Sequence, residues 1–429
     1  MMLLQQIAKE NFPPNFMHAT EFNINNPKVY YSGPYWDSHE IAVAMYAFLS
    51  GKWLSTGENV HKFEVAFSKK FNHKKSLMVN SGSSANLVML AALKKVFKWD
   101  DNDEIIVSTV GFPTTIAPII QNNLKPIFVD IEMDTLNIDI KLIKEKLTSK
   151  TKAIFISPVL GNPPDMDDIS FLAIANNIKI ILDNCDSLGS KWFDKYLTDY
   201  AIASSCSFYP SHHITTGEGG MVSSNIPEII DTARSFAWWG RDCYCVGSAN
   251  LLPCGTCGTR FNKWIDNVDI NIDHKYVFTN IGYNLKPLDL QGAIGLVQLR
   301  KFDEIHKKRL AHKNIIQDIF EHNLNNLIHI PIELCGATTS WFGVPVICKN
   351  YNIKQKLVTY LENNNIQTRN YFAGNILLHP GYKHLGNYNA YPNANKVLEK
   401  VFFIGCAPQY TKEVFEYISN TLSKFKYEE

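Results

Sequence analysis

The run SLMVNSGSSANLVMLAALKKV (Ser76–Val96) decides the fold class. It joins a short apolar strand pattern at Leu77–Val79 to a helical pattern at Ala85–Val96 through a loop of glycine and serine. A Gly-Ser loop that opens a helix presents free backbone N–H groups to an anion, and the helix dipole favours negative charge there. The same loop is also an ordinary helix N-cap, so a binding role depends on the motifs around it.

Six further apolar runs alternate with helical patterns as far as residue 224. The predicted strands are Glu104–Ser108, Pro126–Val129, Ala153–Ser157, Lys179–Leu182, Ala201–Phe208 and Gly220–Ser223. Several of them are continuous in Val, Ile, Leu and Phe, as is typical of strands that are buried on both faces. Their order predicts an α/β fold with a mostly parallel, seven-stranded sheet covered by helices. Ligands of such sheets bind outside the carboxyl ends of the strands.

The chain divides into two predicted domains. Residues 1–310 form a large domain, and residues 311–429 form a smaller C-terminal α+β domain. Residues 240–275 are rich in Gly, Cys, Asn and aromatic side chains without a sustained period, which predicts a long ordered insertion in the large domain.

Composition indicates a cytoplasmic protein. The chain has 429 residues and a net charge of +1, so charge gives no reason to expect binding to nucleic acid or a membrane surface. The N-terminal run MMLLQQIAKE is too weakly apolar for a signal peptide, and the longest apolar runs, such as Leu87–Leu93, are far shorter than a membrane span. Disulfides are not expected among the nine cysteines in a reducing compartment.

Two motifs suggest a site for a planar aromatic ring. Asp183 follows the strand Lys179–Leu182, and an acid there can hold a protonated pyridine nitrogen, although a loop-capping aspartate is an equal alternative. The run GFPT places Phe112 after another strand, where its ring can stack on a planar ligand. A single phenylalanine is more often part of a core.

A third motif, SFYPSHHITTGEGG (Ser207–Gly220), follows the sixth predicted strand. The hydroxyls of Ser204 and Ser207 can meet a phosphate. His212 has an unperturbed pKa near 6.5, so it can move protons near neutral pH. Its neighbour His213 is interpreted as structural or as a proton-relay residue.

Taken together, these motifs resemble the fold-type I, pyridoxal phosphate (PLP)-dependent sugar-nucleotide aminotransferases. The run GYNLKPLDLQGAIGLVQL (Gly282–Leu299) is similar to the segment that follows in that family, and the likeness covers nearly the whole chain. In that family a lysine tethers the cofactor at the position of His212. The candidate cofactor-binding residues are Gly82, Ser83, Phe112, Asp183, Asp186, Ser204 and Ser207.

The histidine variant resembles the sugar 3-dehydrases of 3,6-dideoxyhexose biosynthesis, which serves lipopolysaccharide and related glycans, and is most like those acting on a CDP-4-keto-6-deoxyhexose. The likeness rests on five runs: Ser207–Thr215, Gly240–Cys245, Asp273–Leu285, Ser340–Gly343 and Phe372–Asn375. It implies that pyridoxamine phosphate binds without a tether, that His212 is the catalytic base, and that the 3-hydroxyl leaves as water. The nucleotide can be CDP, dTDP or GDP.

Four cysteines form a second candidate site. Cys185, Cys243, Cys245 and Cys257 are separated by 57, one and 11 residues. Thiolates suit soft metals, and spacing alone slightly favours structural zinc, with a chance cluster as a third possibility. The resemblance implies instead a [2Fe–2S] cluster that takes electrons from a separate NADH-dependent flavin iron–sulfur reductase. Cys254 is the alternative to Cys257.

Three other functions stay open. One is a cluster-free dehydratase that uses glutamate to restore the amine. Another is ordinary aminotransfer with a lysine supplied elsewhere, such as Lys286, and the third is an inactive scaffold whose cysteines hold zinc. The resemblance also implies a homodimer, and Arg369 and Tyr371 are candidates to reach the sugar nucleotide.

Overall fold

A computed structural model describes residues 1–11, 22–50, 54–243, 260–262 and 265–427. Its α-helices are α1 (Met2–Asn11), α2 (Ser38–Ser50), α3 (Glu58–Lys70), α4 (Gly82–Val96), α5 (Pro113–Gln121), α6 (Ile140–Lys146), α7 (Met166–Ala175), α8 (Pro227–Ala237), α9 (Asp289–Leu324), α10 (Tyr351–Asn363), α11 (Pro392–Lys400) and α12 (Lys412–Leu422). Its strands are β1 (Lys75–Val79), β2 (Glu104–Ser108), β3 (Lys125–Val129), β4 (Thr151–Ile156), β5 (Lys179–Asp183), β6 (Lys191–Trp192), β7 (Lys195–Tyr196), β8 (Ala203–Ser207), β9 (Gly220–Ser224), β10 (Ile328–His329), β11 (Ala337–Thr338), β12 (Gly343–Cys348), β13 (Thr368–Asn370) and β14 (Val401–Gly405).

The central sheet has seven strands in the order β1-β9-β8-β5-β4-β2-β3, which confirms the predicted fold class. β3, β2, β4, β5 and β8 are parallel neighbours, whereas β9 runs antiparallel to both β8 and β1. All seven predicted strands are present. The antiparallel strand β9 lies between β8 and the edge strand β1, and its first residue, Gly220, pairs with both Ser207 and Val79, so the end of β8 lies close to the start of α4.

Both faces of this sheet are buried, which explains the continuous apolar runs. Ile105 packs into one hydrophobic cluster with α4 and α8, and its neighbour Ile106 packs into the cluster on the other face with α7. The same alternation separates Phe155 from Ile154 in β4. Successive side chains of a strand point to opposite faces, so each strand needs apolar residues at every position.

A smaller antiparallel sheet has the order β10-β12-β14-β13 and packs with α10, α11 and α12 around a third apolar cluster. The 36-residue helix α9 is about 54 Å long, at 1.5 Å per residue. It contacts α2 and α3 beside the large sheet and α12 and β12 beside the small one. It runs on past residue 310, where the two predicted domains meet, and ends at Leu324. The domain boundary at 310 therefore stays a prediction, since α9 crosses it without a break.

The predicted insertion at 240–275 is described only in part, because residues 244–259 and 263–264 lie outside the described ranges. At its start, Gly240 has φ +81°, and a Cβ there would lie 1.8 Å from the carbonyl oxygen of Asn280. Only glycine fits this close approach. Over the described ranges, no helix combines the length and the apolar character that a membrane crossing needs.

Candidate active site

A cavity of about 770 Å³ opens at the carboxyl ends of the central strands. Seven of the eight residues predicted for catalysis and cofactor binding line it: Gly82, Ser83, Phe112, Asp183, Asp186, Ser207 and His212. Other parts of the wall come from the small sheet, through Arg369 and Phe403, from Phe342 just before β12, and from Tyr31 in the segment before α2.

Ser204 is the exception. It lies near the start of β8, is 4% exposed, and does not line the cavity. Ser207 ends the same strand and does line it. Because ligands approach the carboxyl end of a strand, a phosphate in this cavity would meet Ser207 rather than Ser204.

The N-terminus of α4 forms the anion-binding corner of the cavity. The Ser81 hydroxyl accepts a hydrogen bond from the Ser84 N–H at 3.1 Å and so caps the helix. Gly82 lies against Ser207 and Cys185, and a Cβ on it would come within 2.5 Å of the Ser207 Cβ. The absence of that Cβ lets the helix N-terminus and the Ser207 hydroxyl converge on one point, as a phosphate site requires.

Asp183 is a buried carboxylate held by a full set of donors. Its Oδ2 accepts hydrogen bonds from Asn86 Nδ2 at 2.8 Å and from Thr115 Oγ1 at 2.7 Å. Its Oδ1 accepts from the Cys185 N–H at 3.2 Å and the Ser205 hydroxyl at 3.4 Å. These bonds fix the orientation of the carboxyl group at the floor of the cavity.

His212 lies in the cavity wall against the Phe342 ring, at 5.2 Å between ring centroids. Within the described part of the chain its buried Nδ1 has no hydrogen-bond partner. Burial lowers the pKa of His212 to about 4, against the opposing charge of Asp183. The imidazole is therefore neutral at neutral pH and can accept a proton.

Asp186 faces His212, with 3.6 Å between its Oδ1 and the His212 Nδ1. That separation is too long for a direct hydrogen bond. Its Oδ2 accepts from the Leu160 N–H at 3.3 Å. Burial, together with the charge of Asp183, raises the pKa of Asp186 to about 7. The two predicted acids thus lie in different environments: Asp183 accepts four hydrogen bonds, whereas Asp186 is buried and accepts one.

His213 is turned away from the cavity and is 2% exposed. Its Nε2 donates to the Ser340 carbonyl at 2.8 Å. This geometry agrees with the structural role predicted for His213 and leaves His212 as the histidine of the 211–213 run that faces a ligand.

Sequence reasoning missed Arg309, which holds the His212 loop in place. This buried guanidinium donates to the carbonyls of Ser211 and His212, each at 3.4 Å, and to that of Phe342 at 3.0 Å. It joins helix α9 to the two segments that carry the His212 and Phe342 rings. No local pattern marks this residue, because its acceptors are backbone groups far away in sequence.

Sequence reasoning also left Asn86 and Thr115 without a role. Asn86 lies within the quoted run Ser76–Val96, Thr115 directly follows the run GFPT, and both donate to Asp183. The sequence did contain a signal for them, because a polar residue near the start of a helix that packs on a buried sheet needs a polar partner.

An aromatic wall closes one side of the cavity. Phe112 is 50% exposed and meets Phe372 edge-on, with 5.8 Å between ring centroids. Phe372 has φ +44°, a left-handed conformation that non-glycine residues rarely adopt. Leu160, whose N–H points to Asp186, has φ +56°. Strained residues of this kind concentrate at ligand sites.

The cysteine prediction is described only in part. Cys185 lines the cavity, and Cys243 is buried in the apolar cluster beside α4 and α8. Cys245 and Cys257, and the alternative Cys254, lie outside the described residues. Among the residues that are described, no group of three or more His, Cys, Asp or Glu side chains has the arrangement of a metal site.

Lys286, the candidate for a displaced tethering lysine, does not line the cavity. Its ammonium lies 3.3 Å from the centroid of the Trp239 ring and 5.1 Å from that of Trp238. Burial lowers the pKa of Lys286 to about 8. No lysine is found among the described residues of the cavity wall.

The comparisons with known proteins agree with this geometry. The chain is 35% identical over 380 residues to a dTDP-4-dehydro-2,6-dideoxy-D-glucose 3-dehydratase of Saccharopolyspora spinosa, a match that covers 87% of this chain and 81% of that protein. It is also 35% identical over 411 residues to the lipopolysaccharide biosynthesis protein RfbH of Salmonella typhimurium, covering 92% and 91% of the two chains.

A solved structure of a GDP-4-keto-6-deoxymannose-3-dehydratase with a trapped PLP–glutamate geminal diamine has a TM-score of 0.80 and 29% identity, over 92% of this chain and 100% of that one. The model of the DegT/DnrJ/EryC1/StrS aminotransferase family matches residues 36–423. The chain therefore belongs to the DegT/DnrJ/EryC1/StrS aminotransferase family, and within it is close to sugar-nucleotide 3-dehydratases.

Proposed function

We propose that this protein is a pyridoxamine phosphate-dependent dehydratase that removes the 3-hydroxyl of a nucleotide-linked 4-keto-6-deoxyhexose. One observation carries the proposal: a neutral, buried histidine, His212, occupies the cavity wall, and no described residue of that wall is a lysine. Without a tethering lysine the cofactor is free to stay in its amine form. Relatives named as sugar 3-dehydratases support the same reaction class.

The described residues fit the cofactor. The α4 N-terminus and Ser207 suit its phosphate, Asp183 suits a protonated ring nitrogen, and Phe112 suits the ring face. When bound, pyridoxamine phosphate would supply an electron-accepting ring and the two electrons of the deoxygenation, with its amino nitrogen released as ammonia by hydrolysis and the cofactor left as pyridoxal phosphate.

The surroundings of Asp183, His212 and Asp186 suit each of these side chains to a different role. Asp183 is held by four hydrogen bonds, and its carboxyl group would be the partner for a protonated ring nitrogen of the bound cofactor. His212 is neutral and its Nδ1 is unpaired in the described structure, so it could accept a proton from a ligand bound in the cavity. Asp186, with a raised pKa, can receive or return a proton in the same corner.

We further propose that glutamate restores the amine form, giving 2-oxoglutarate. The relative trapped as a PLP–glutamate adduct supports this route. The iron–sulfur alternative, with electrons from a separate flavin reductase, keeps one favourable observation, since Cys185 lies in the cavity wall two residues after Asp183. Its other ligands, Cys243 apart, belong to the undescribed segment.

Metal analysis and turnover separate these two routes. The protein is purified anaerobically, assayed for iron and acid-labile sulfide, and then given pyridoxamine phosphate, substrate and glutamate. We expect no iron and sustained turnover with glutamate. Bound iron and sulfide, with turnover only when a reductase is added, would establish the cluster route instead. The expected substrate class is CDP-, dTDP- or GDP-linked, and the three are assayed side by side.

We also propose that the protein forms a homodimer through the segment 276–288. Tyr276, Phe278 and Ile281 are 62%, 53% and 97% exposed, a concentration of apolar surface typical of an interface. The Leu285 carbonyl accepts a hydrogen bond from the Asn80 N–H at 2.9 Å, which places this surface beside the α4 end of the cavity. Sedimentation velocity should give a dimer for the native chain and a monomer for Ile281→Asp.

A further inference from the structure

One basic side chain, that of Arg369, lies on the part of the cavity wall made by the small sheet. Apart from Arg369, the described residues that line the cavity include no lysine or arginine. Other parts of the cavity lining carry three carboxyl groups, those of Asp183, Asp186 and Glu218. A ligand with a diphosphate group entering this cavity would meet an excess of negative charge unless Arg369 neutralised it.

Arg369 is held in place for such a role. Its guanidinium carbon lies 4.2 Å from the centroid of the Tyr31 ring, and its Nη1 donates to the Thr368 carbonyl at 2.7 Å. The side chain is exposed to the cavity, and its remaining N–H donors are available to a ligand. Stacking on an aromatic face fixes the planar fork before the ligand arrives, which reduces the entropy lost on binding.

The Tyr31 platform is itself fixed. The Tyr31 ring meets the Phe403 ring edge-on at 6.1 Å, and the Tyr31 N–H donates to Gln367 Oε1 at 3.3 Å. In the sheet, Arg369 pairs directly with Phe403 across β13 and β14. The three side chains thus form one layer at the sheet edge, with the guanidinium in the cavity.

Tyr371, the other residue considered for the nucleotide, is excluded by its placement. It is 2% exposed and its hydroxyl donates to the Val159 carbonyl at 3.3 Å. Arg369 is the cationic residue of this run that lines the cavity, beside the neutral amide of Asn370.

We infer that Arg369, stacked on Tyr31, binds the diphosphate of the nucleotide-linked substrate, separately from the cofactor phosphate at the α4 N-terminus. The inference rests on the proposed function for the identity of the substrate. A planar guanidinium suits a diphosphate because two parallel N–H groups can bind two phosphate oxygens at once.

Isothermal titration with CDP, dTDP and GDP, and with the corresponding free nucleosides, tests this inference without turnover. We expect Arg369→Gln to weaken nucleoside diphosphate binding about tenfold to a hundredfold and to leave the weak nucleoside binding as it is. Arg369→Lys should give an intermediate loss, because it keeps the charge without the fork. Arg300→Gln, on an exposed arginine of α9 outside the cavity wall, is the matched control and should bind like the native chain.

The inference would be overturned if Arg369→Gln and the native protein bound nucleoside diphosphates with equal affinity. It would also be overturned if Arg369→Gln lost affinity for pyridoxamine phosphate instead of for nucleoside diphosphates. Failure of the proposed function is distinguishable. A protein that binds nucleoside diphosphate through Arg369 but does not dehydrate any sugar would retain the diphosphate site and refute the dehydratase.

Discussion

Replacing His212 by Asn should abolish catalysis with little loss of stability. The His212 Nδ1 has no hydrogen-bond partner in the described structure, and the ring makes one backbone hydrogen bond, to Cys185, so the change removes little stabilising contact. A positioned general base contributes about a hundredfold to ten-thousandfold in rate, so kcat should fall by that factor. This corresponds to about 3–5 kcal/mol of lost transition-state stabilisation.

His213→Asn is the matched comparison, since it removes the adjacent imidazole. It breaks the Nε2 bond to the Ser340 carbonyl and should lower the free energy of unfolding by about 1–3 kcal/mol. His213 does not line the cavity, so the kcat of folded His213→Asn should stay within a few-fold of the native value.

The assay combines single-turnover kinetics in pyridoxamine phosphate with urea unfolding of each variant. The assignment of His212 as the base is refuted if His212→Asn keeps the native kcat. It is also refuted if His212→Asn loses as much stability as His213→Asn and His213→Asn is the variant that loses activity. Cofactor absorbance confirms in each case that the cavity is loaded.

Three more outcomes are expected. Asp183→Asn should weaken pyridoxamine phosphate binding by about tenfold to a hundredfold, because the amide cannot balance a protonated ring nitrogen; an absorbance titration measures this, and native affinity would contradict it. Arg309→Met should lower kcat and the midpoint of thermal unfolding together, because the carbonyls of Ser211, His212 and Phe342 lose their shared donor, whereas a native kcat would remove Arg309 from the positioning of His212. His73 has a pKa lowered to about 4 by burial, so the folded state binds fewer protons than the unfolded state between that value and 6.5; stability should fall by up to about 3 kcal/mol as pH drops through this window, and a His73→Gln variant with the same pH slope would show that other groups cause the loss.

The sheet was predictable because its physics is local. Strands buried on both faces need apolar residues at every position, and runs such as Glu104–Ser108 satisfy this without reference to the rest of the chain. The length of α9 was not predictable in the same way. Beyond Leu310 its buried face packs on the small sheet and α12, so its continuation depends on contacts with residues much later in sequence.

The site was predictable where it follows strand ends. Asp183 and Ser207 end their strands, so topology alone brings them to one edge of the sheet. Ser204 was predicted to meet the phosphate because of its hydroxyl, without regard to its position along β8. Since it lies near the start of that strand, it does not line the cavity. Arg309 could not be found from sequence, because it acts through carbonyls that lie 97 and 98 residues away.

The most direct test of the central claim is the product formed from pyridoxamine phosphate and a nucleotide-linked 4-keto-6-deoxyhexose in deuterated water, analysed by mass spectrometry and proton NMR. The dehydratase predicts a 4-keto sugar that has lost the 3-hydroxyl oxygen and carries solvent deuterium at C3, with His212→Asn giving no such product. A 4-amino sugar that keeps its 3-hydroxyl would contradict it and would make the protein an aminotransferase.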